Sequence, residues 1–156
     1  MATLDPVDET FFDSAPARYA HTWTVRRPAE QVWSELTSDR PLSWVRAVSL
    51  RWTSARPFGV GTTRQAKVLG GVLSLAEHFF IWEEGRRYAF YGTQVNAPLF
   101  KRFAEDYLVT PDGPAGCTFT WTIALEPTAL GKPGGPVNAL LFNSLFRDTS
   151  RYFGAS

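Results

Sequence analysis

The chain has a single cysteine, Cys117, a single methionine and two histidines among its 156 residues. One cysteine excludes an intramolecular disulfide, and with it the disulfide framework that would argue for secretion. His21 and His78, with no HExxH and no CxxC pattern around them, leave no metal site to build, and no cofactor is expected. An excess of either charge is also missing: 16 Lys and Arg stand against 15 Asp and Glu, for a net charge of +1. That balance offers neither the basic footprint that nucleic acid demands nor an attraction to an anionic membrane surface. No run approaches the ~18 apolar residues that suggest a membrane-spanning helix, so no membrane insertion is expected. The acidic opening, MATLDPVDETFFDSAPARY, lacks a basic segment followed by an apolar one, and the cytoplasm is the expected compartment. No serine sits in a G-x-S-x-G elbow. The G-x-G of GVGTTR runs into a strand rather than a helix, which argues against a dinucleotide or phosphate loop.

Aromatic rings are what the chain has in quantity: 12 Phe, 6 Trp and 5 Tyr, or 15% of all residues. Such side chains bury large areas, so they imply a dense core or an apolar cavity lined by rings. Residues 1–16 read as a polar lead, expected to be partly disordered, and residues 17–156 as one domain. Tyr19 to Arg27 alternates Tyr19, His21, Trp23 and Val25 against polar neighbours, as a half-buried strand does. Pro28 then suits the first turn of a helix carrying Ala29, Val32, Trp33 and Leu36 at helical spacing. DRPLSW reads as a second short helix or a turn, and Val45 to Trp52 as the next strand.

Two hairpins follow. Folding Thr62–Phe80 over a two-residue Gly70-Gly71 turn sets Val68 opposite Leu73, Ala66 opposite Leu75 and Arg64 opposite Glu77. A turn at Glu84-Gly85 sets Ile81 opposite Tyr88, Phe79 opposite Phe90 and Glu77 opposite Gly92. Two last strands flank PDGPAG, the second alternating Cys117, Phe119, Trp121, Ile123 and Leu125 against hydroxyls. Pro136 opens a final helix to about Phe153, its apolar face formed by Val137, Leu140, Leu141, Phe142, Leu145, Phe146 and Phe153. Its polar edge is Asn143, Ser144, Arg147, Asp148 and Arg151. Short-turn hairpins mean an antiparallel sheet of six or seven strands, and the class is α+β, in the order β-α-α-β-β-β-β-β-β-α.

That order resembles the helix-grip fold of the START/Bet v 1-like (SRPBCC) superfamily, in particular its bacterial polyketide cyclase/dehydrase and lipid-transport branch. The residues that carry the resemblance are TVRRPAEQVWSELTS, Trp44-Val45, GVGTTR, Glu77, Trp82 and TFTWTI, spread over about residues 19 to 153. The resemblance implies a sheet wrapped around the final helix, with an apolar cavity between them. It points to a fold and not to a substrate.

On that frame Arg64 and Glu77 face the helix, where an unpaired charge would be very costly, so they are expected to pair. The pair is either a structural salt bridge at a wet cavity mouth, a polar anchor for a ligand, or, through Glu77, part of a catalytic site. Trp23, Phe79, Tyr88, Phe90, Tyr107, Phe119 and Trp121 share the inner face, as core or as pocket lining, with Leu141 and Leu145 above them on the helix. His21 is a candidate general base or a satisfied core histidine. NAPLF and ALGKPGG are candidate gates or plain connections. Three functions stay open. The first is binding of a small hydrophobic molecule such as a lipid, an isoprenoid or a polyketide-like aromatic. The second is acid–base catalysis of the polyketide cyclase, aromatase or dehydratase kind. The third is a protein-interaction module without a ligand. The first two need a cavity larger than a few waters, and the chain is expected to act as a monomer or homodimer.

Overall fold

The computed structural model describes residues 1–154; the last two residues of the expected 17–156 domain lie outside the described residues. Alternation along Ala17–Val25 forms β2, which pairs with Cys117–Pro127 (β8) from Ala17 opposite Leu125 to Val25 opposite Cys117. The other strands are Val48–Trp52 (β3), Thr63–Val68 (β4), Leu73–Glu83 (β5), Arg87–Val95 (β6) and Phe100–Pro111 (β7). The sheet order is β2-β8-β7-β6-β5-β4-β3, with every neighbouring pair antiparallel. Between β2 and β3 lies the helix Ala29–Leu36 (α2), which buries Ala29, Val32, Trp33 and Leu36 against the sheet. The expected second helix at DRPLSW is a run of turns, with Leu42 at a φ of 57° and buried. The C-terminal helix Gly135–Phe153 (α3) packs on the inner face of the sheet through Phe142, Leu145, Phe146 and Phe153. This is the α+β helix-grip arrangement.

The two hairpins kept the expected partners to different degrees. Between β4 and β5 the pairs Val68–Leu73, Ala66–Leu75 and Arg64–Glu77 are as read. The connection, however, is four residues, Leu69 to Val72, rather than a Gly-Gly turn, with φ positive at Leu69, Gly70 and Gly71. A longer loop centred on the same two residues preserves the register. Between β5 and β6, Phe79–Phe90 and Glu77–Gly92 hold, but Trp82 rather than Ile81 lies opposite Tyr88. A bulge between Phe79 and Ile81 causes the slip, because one extra residue on β5 shifts every pair beyond it.

The first sixteen residues run along the sheet. β6 and β7 pair only from Arg87–Leu108 to Tyr91–Ala104. Where they part, Ala2–Thr3 (β1) pairs with Val95 and Gln94, and the Asp5 N–H donates to the Lys101 carbonyl at 2.9 Å. The single-turn helix Phe11–Ser14 (α1) then lays Phe11 and Phe12 on the outer face of the sheet, over Ala89, Ala104 and Ala124. Burying two phenylalanines there contributes roughly 1.5–3 kcal/mol each, enough to hold a short lead in place.

Along α3, Val137 and Leu140 correct the expected apolar face: they point to solvent at 64% and 72% exposure. Asp148, expected on the polar edge, is buried and accepts from the Arg46 backbone N–H at 3.1 Å. No helix among the described residues is long and apolar enough to cross a membrane.

Candidate functional site

Three charged side chains reach the inner face from β4, β5 and β7. Arg64 Nε donates to Glu77 Oε1 at 2.6 Å, with both side chains almost wholly buried. The aromatic side chains around the pair form a cage. The guanidinium carbon lies 4.9 to 5.9 Å from the ring centres of Phe90, Trp52, Phe79 and Tyr88, where ring faces attract a cation. Burial on its own would drive the proton off Arg64, but the oxygens of Glu77, Tyr88 and Tyr107 hold its basicity above the usual range. Burial pushes the Glu77 carboxyl up, and Arg64 pulls it back. A guanidinium keeps its proton in proteins, so the pair is ionic at neutral pH. Arg64 Nη1 is also buried, yet has no hydrogen-bond partner.

Glu105 is the third charge. Two residues before Tyr107 on β7, it shares the inward face and accepts from Tyr107 Oη at 2.8 Å and Trp121 Nε1 at 2.7 Å, both at Oε1. Burial, and then the negative charge of Glu77, push its carboxyl up to about 7. Glu105 is therefore divided between acid and base near neutral pH. It was not among the sequence candidates, although the alternation Phe103, Glu105, Tyr107, Val109 placed it on the inner face.

Arg64, Glu77 and Glu105 line one cavity with Phe90, Tyr107 and Trp121, under Leu141 and Leu145 of α3. Seven of the sequence candidates thus meet there: Arg64, Glu77, Phe90, Tyr107, Trp121, Leu141 and Leu145. Five do not. Phe79 and Tyr88 stand behind Arg64 in its cage, and the Tyr88 hydroxyl donates to the Leu36 carbonyl at 3.1 Å. Trp23, Phe119 and His21 lie under the far half of α3: Trp23 Nε1 donates to Ser150 Oγ at 2.7 Å, and the His21 ring rests 4.5 Å from that of Trp23. His21 therefore stands away from the three charges.

The rim of the cavity is half-buried, made by Val48, Leu50 and Leu73 on the strands and Asn138 and Leu141 on α3. The space enclosed is about 50 Å³. That is room for one or two waters, whereas a ligand pocket usually measures ~300 Å³ or more. The cavity is therefore smaller than the two ligand readings were expected to need, and as it stands it counts toward the interaction module. Beside it the two candidate gates touch: Thr128 N–H donates to the Leu99 carbonyl at 3.0 Å, and Gly131 packs on the same carbonyl. A Cβ at position 131 would stand 2.0 Å from the Leu99 oxygen, so only glycine fits.

The architecture recurs in solved structures. A START superfamily protein from Mycobacterium smegmatis superposes with a TM-score of 0.67 at 13% identity, over 88% of this chain and 97% of its own. A major latex-like protein from Panax ginseng gives 0.65 at 14% identity, over 88% and 97%. Residues 16–153 match the family described as polyketide cyclase/dehydrase and lipid transport, and the chain belongs to it. Uncharacterised proteins of Mycobacterium tuberculosis and Mycobacterium bovis are 31% identical over 99% of this chain and 95% of theirs.

Proposed function

We propose that the protein binds a small hydrophobic molecule between the sheet and the first half of α3. The observation that carries this reading is Arg64 Nη1, a buried charged donor with no hydrogen-bond partner, on a residue that lines a largely apolar cavity. A core packed for stability alone has no use for it: an unmet donor of this kind costs about 1–3 kcal/mol or more, and an apolar pair at positions 64 and 77 would avoid that loss. The family description, which names both lipid transport and polyketide chemistry, supports the same reading. A space of about 50 Å³ must widen to admit such a molecule, so binding requires the start of α3 to lift from the sheet. Gly134 and Gly135 at the entry to α3, and the solvent-facing Val137 and Leu140, leave that end lightly held. Native mass spectrometry of the purified protein tests the reading. The expected result is a hydrophobic adduct that denaturation releases. An empty protein that also takes up no neutral apolar probe sinks it.

Glu105 favours a second reading, in which the same cavity performs acid–base chemistry on its ligand. A carboxyl near its midpoint at neutral pH can both give and take a proton. Turnover of a carrier-bound poly-ketone that disappears in Glu105→Gln, with the fold intact by circular dichroism, is the expected outcome. Unchanged turnover in that variant rejects the residue's role.

A further inference from the structure

Building on the binding reading above, we infer that the buried end of the ligand is an uncharged oxygen acceptor, a ketone, aldehyde or ester carbonyl, received by Arg64 Nη1, and that the cavity rejects carboxylates. Three observations lead there. The first is the unpartnered Nη1 itself: a guanidinium nitrogen only donates, so what completes it must accept. Phe79, Phe90 and Trp52 offer it ring faces, and the Tyr88 hydroxyl, whose proton goes to Leu36, keeps lone pairs near the guanidinium but makes no hydrogen bond to Nη1.

The second is the charge count. Arg64 and Glu77 cancel, and Glu105, when ionised, adds negative charge to the same cavity. A carboxylate entering this space would find one guanidinium already neutralised, and two carboxyl groups whose repulsion is little screened in the apolar interior. A neutral carbonyl gains the charge-assisted hydrogen bond without that repulsion. An ammonium group would instead face Nη1 with another donor.

The third is the geometry of Glu105. Tyr107 and Trp121 both occupy Oε1, which leaves Oε2 without a partner among the described residues. When ionised that oxygen repels an incoming carboxylate, and when protonated it can donate to the carbonyl oxygen of a neutral ligand. The wall thus offers a fixed donor to a neutral oxygen function and no free cation to an anion.

Three naphthalene probes of nearly equal shape separate the possibilities: acetylnaphthalene, ethylnaphthalene and naphthoate, titrated at pH 7 with tryptophan fluorescence and calorimetry. The expected order is acetylnaphthalene tightest, by about tenfold over ethylnaphthalene, with naphthoate weakest. In the paired variant Arg64→Met with Glu77→Leu, which strands neither charge, the ketone advantage should vanish while ethylnaphthalene binding persists. Equal binding of ketone and hydrocarbon to the natural protein, or preference for naphthoate, overturns the inference and leaves the binding reading standing. Failure of all three probes to bind overturns both.

Discussion

The two halves of α3 cover the same sheet in opposite ways. Under its C-terminal half the tryptophan N–H groups find hydroxyl partners, although Glu35 Oε2, on the carboxylate that meets Tyr152, is buried without one. Trp23 Nε1 meets Ser150 Oγ at 2.7 Å and Trp44 Nε1 meets Thr149 Oγ1 at 3.1 Å, while each of those hydroxyls donates back to a carbonyl one turn earlier. The Phe146 ring lies 5.7 Å from Trp23 and 5.4 Å from Trp121, both edge-on. Under the N-terminal half the cover is Asn138, Leu141, Phe142 and Leu145, the wall carries three charges, and Arg64 Nη1 has no hydrogen-bond partner. The same kind of strand face is therefore covered by packed rings at one end and left hollow around charged groups at the other.

The contrast can be broken experimentally. Phe146→Ala in the anchored half should cost about 4 kcal/mol in chemical denaturation, against about 1 kcal/mol for Leu141→Ala over the hollow half. Similar losses at the two positions would erase the distinction. Arg64→Met alone should lose about 3 kcal/mol, because Glu77 is left buried and unpaired, and adding Glu77→Leu should recover much of it. A silent single change would mean that the pair is solvated.

Glu105 supplies a pH test. Burial and Glu77 raise its folded pKa from 4.5 to about 7, so the folded state holds a proton that the unfolded chain has released over this range. Its contribution is favourable below about pH 4.5 and is lost as pH climbs through 7, by at most about 3 kcal/mol. Glu105→Gln keeps an acceptor for Tyr107 and Trp121 and should flatten that decline in denaturation curves between pH 5 and pH 8. A slope unchanged by the substitution would show that the carboxyl does not titrate there. The smallest effect is expected from Leu141→Phe, which fills the hollow half: stability within about 1 kcal/mol of the parent, and acetylnaphthalene binding lost.

Much of this was legible in the residues, and the reasons for the misses are local. Arg64 and Glu77 could be paired because the β4–β5 loop is centred on Gly70 and Gly71 whatever its length. The slip at Phe80 was hidden, since a bulge is a property of two strands and leaves no mark on either alternation. Phe11 and Phe12 looked like part of a polar lead because the small residues that receive them come from three strands far along the chain. Glu105 was overlooked for a different reason: its strand was read for its rings, although parity alone set it beside Tyr107. The size of the cavity was beyond reach, because it depends on how the side chains of α3 settle and not on any one of them.

Gly131 has a consequence for how the cup can open. With the Leu99 carbonyl where a side chain would stand, and Thr128 holding the same carbonyl, the two segments beside the rim are fastened back to back. If the start of α3 lifts for a ligand as proposed above, the β6–β7 connection is expected to move with it, and a methyl group at position 131 would force the two segments apart.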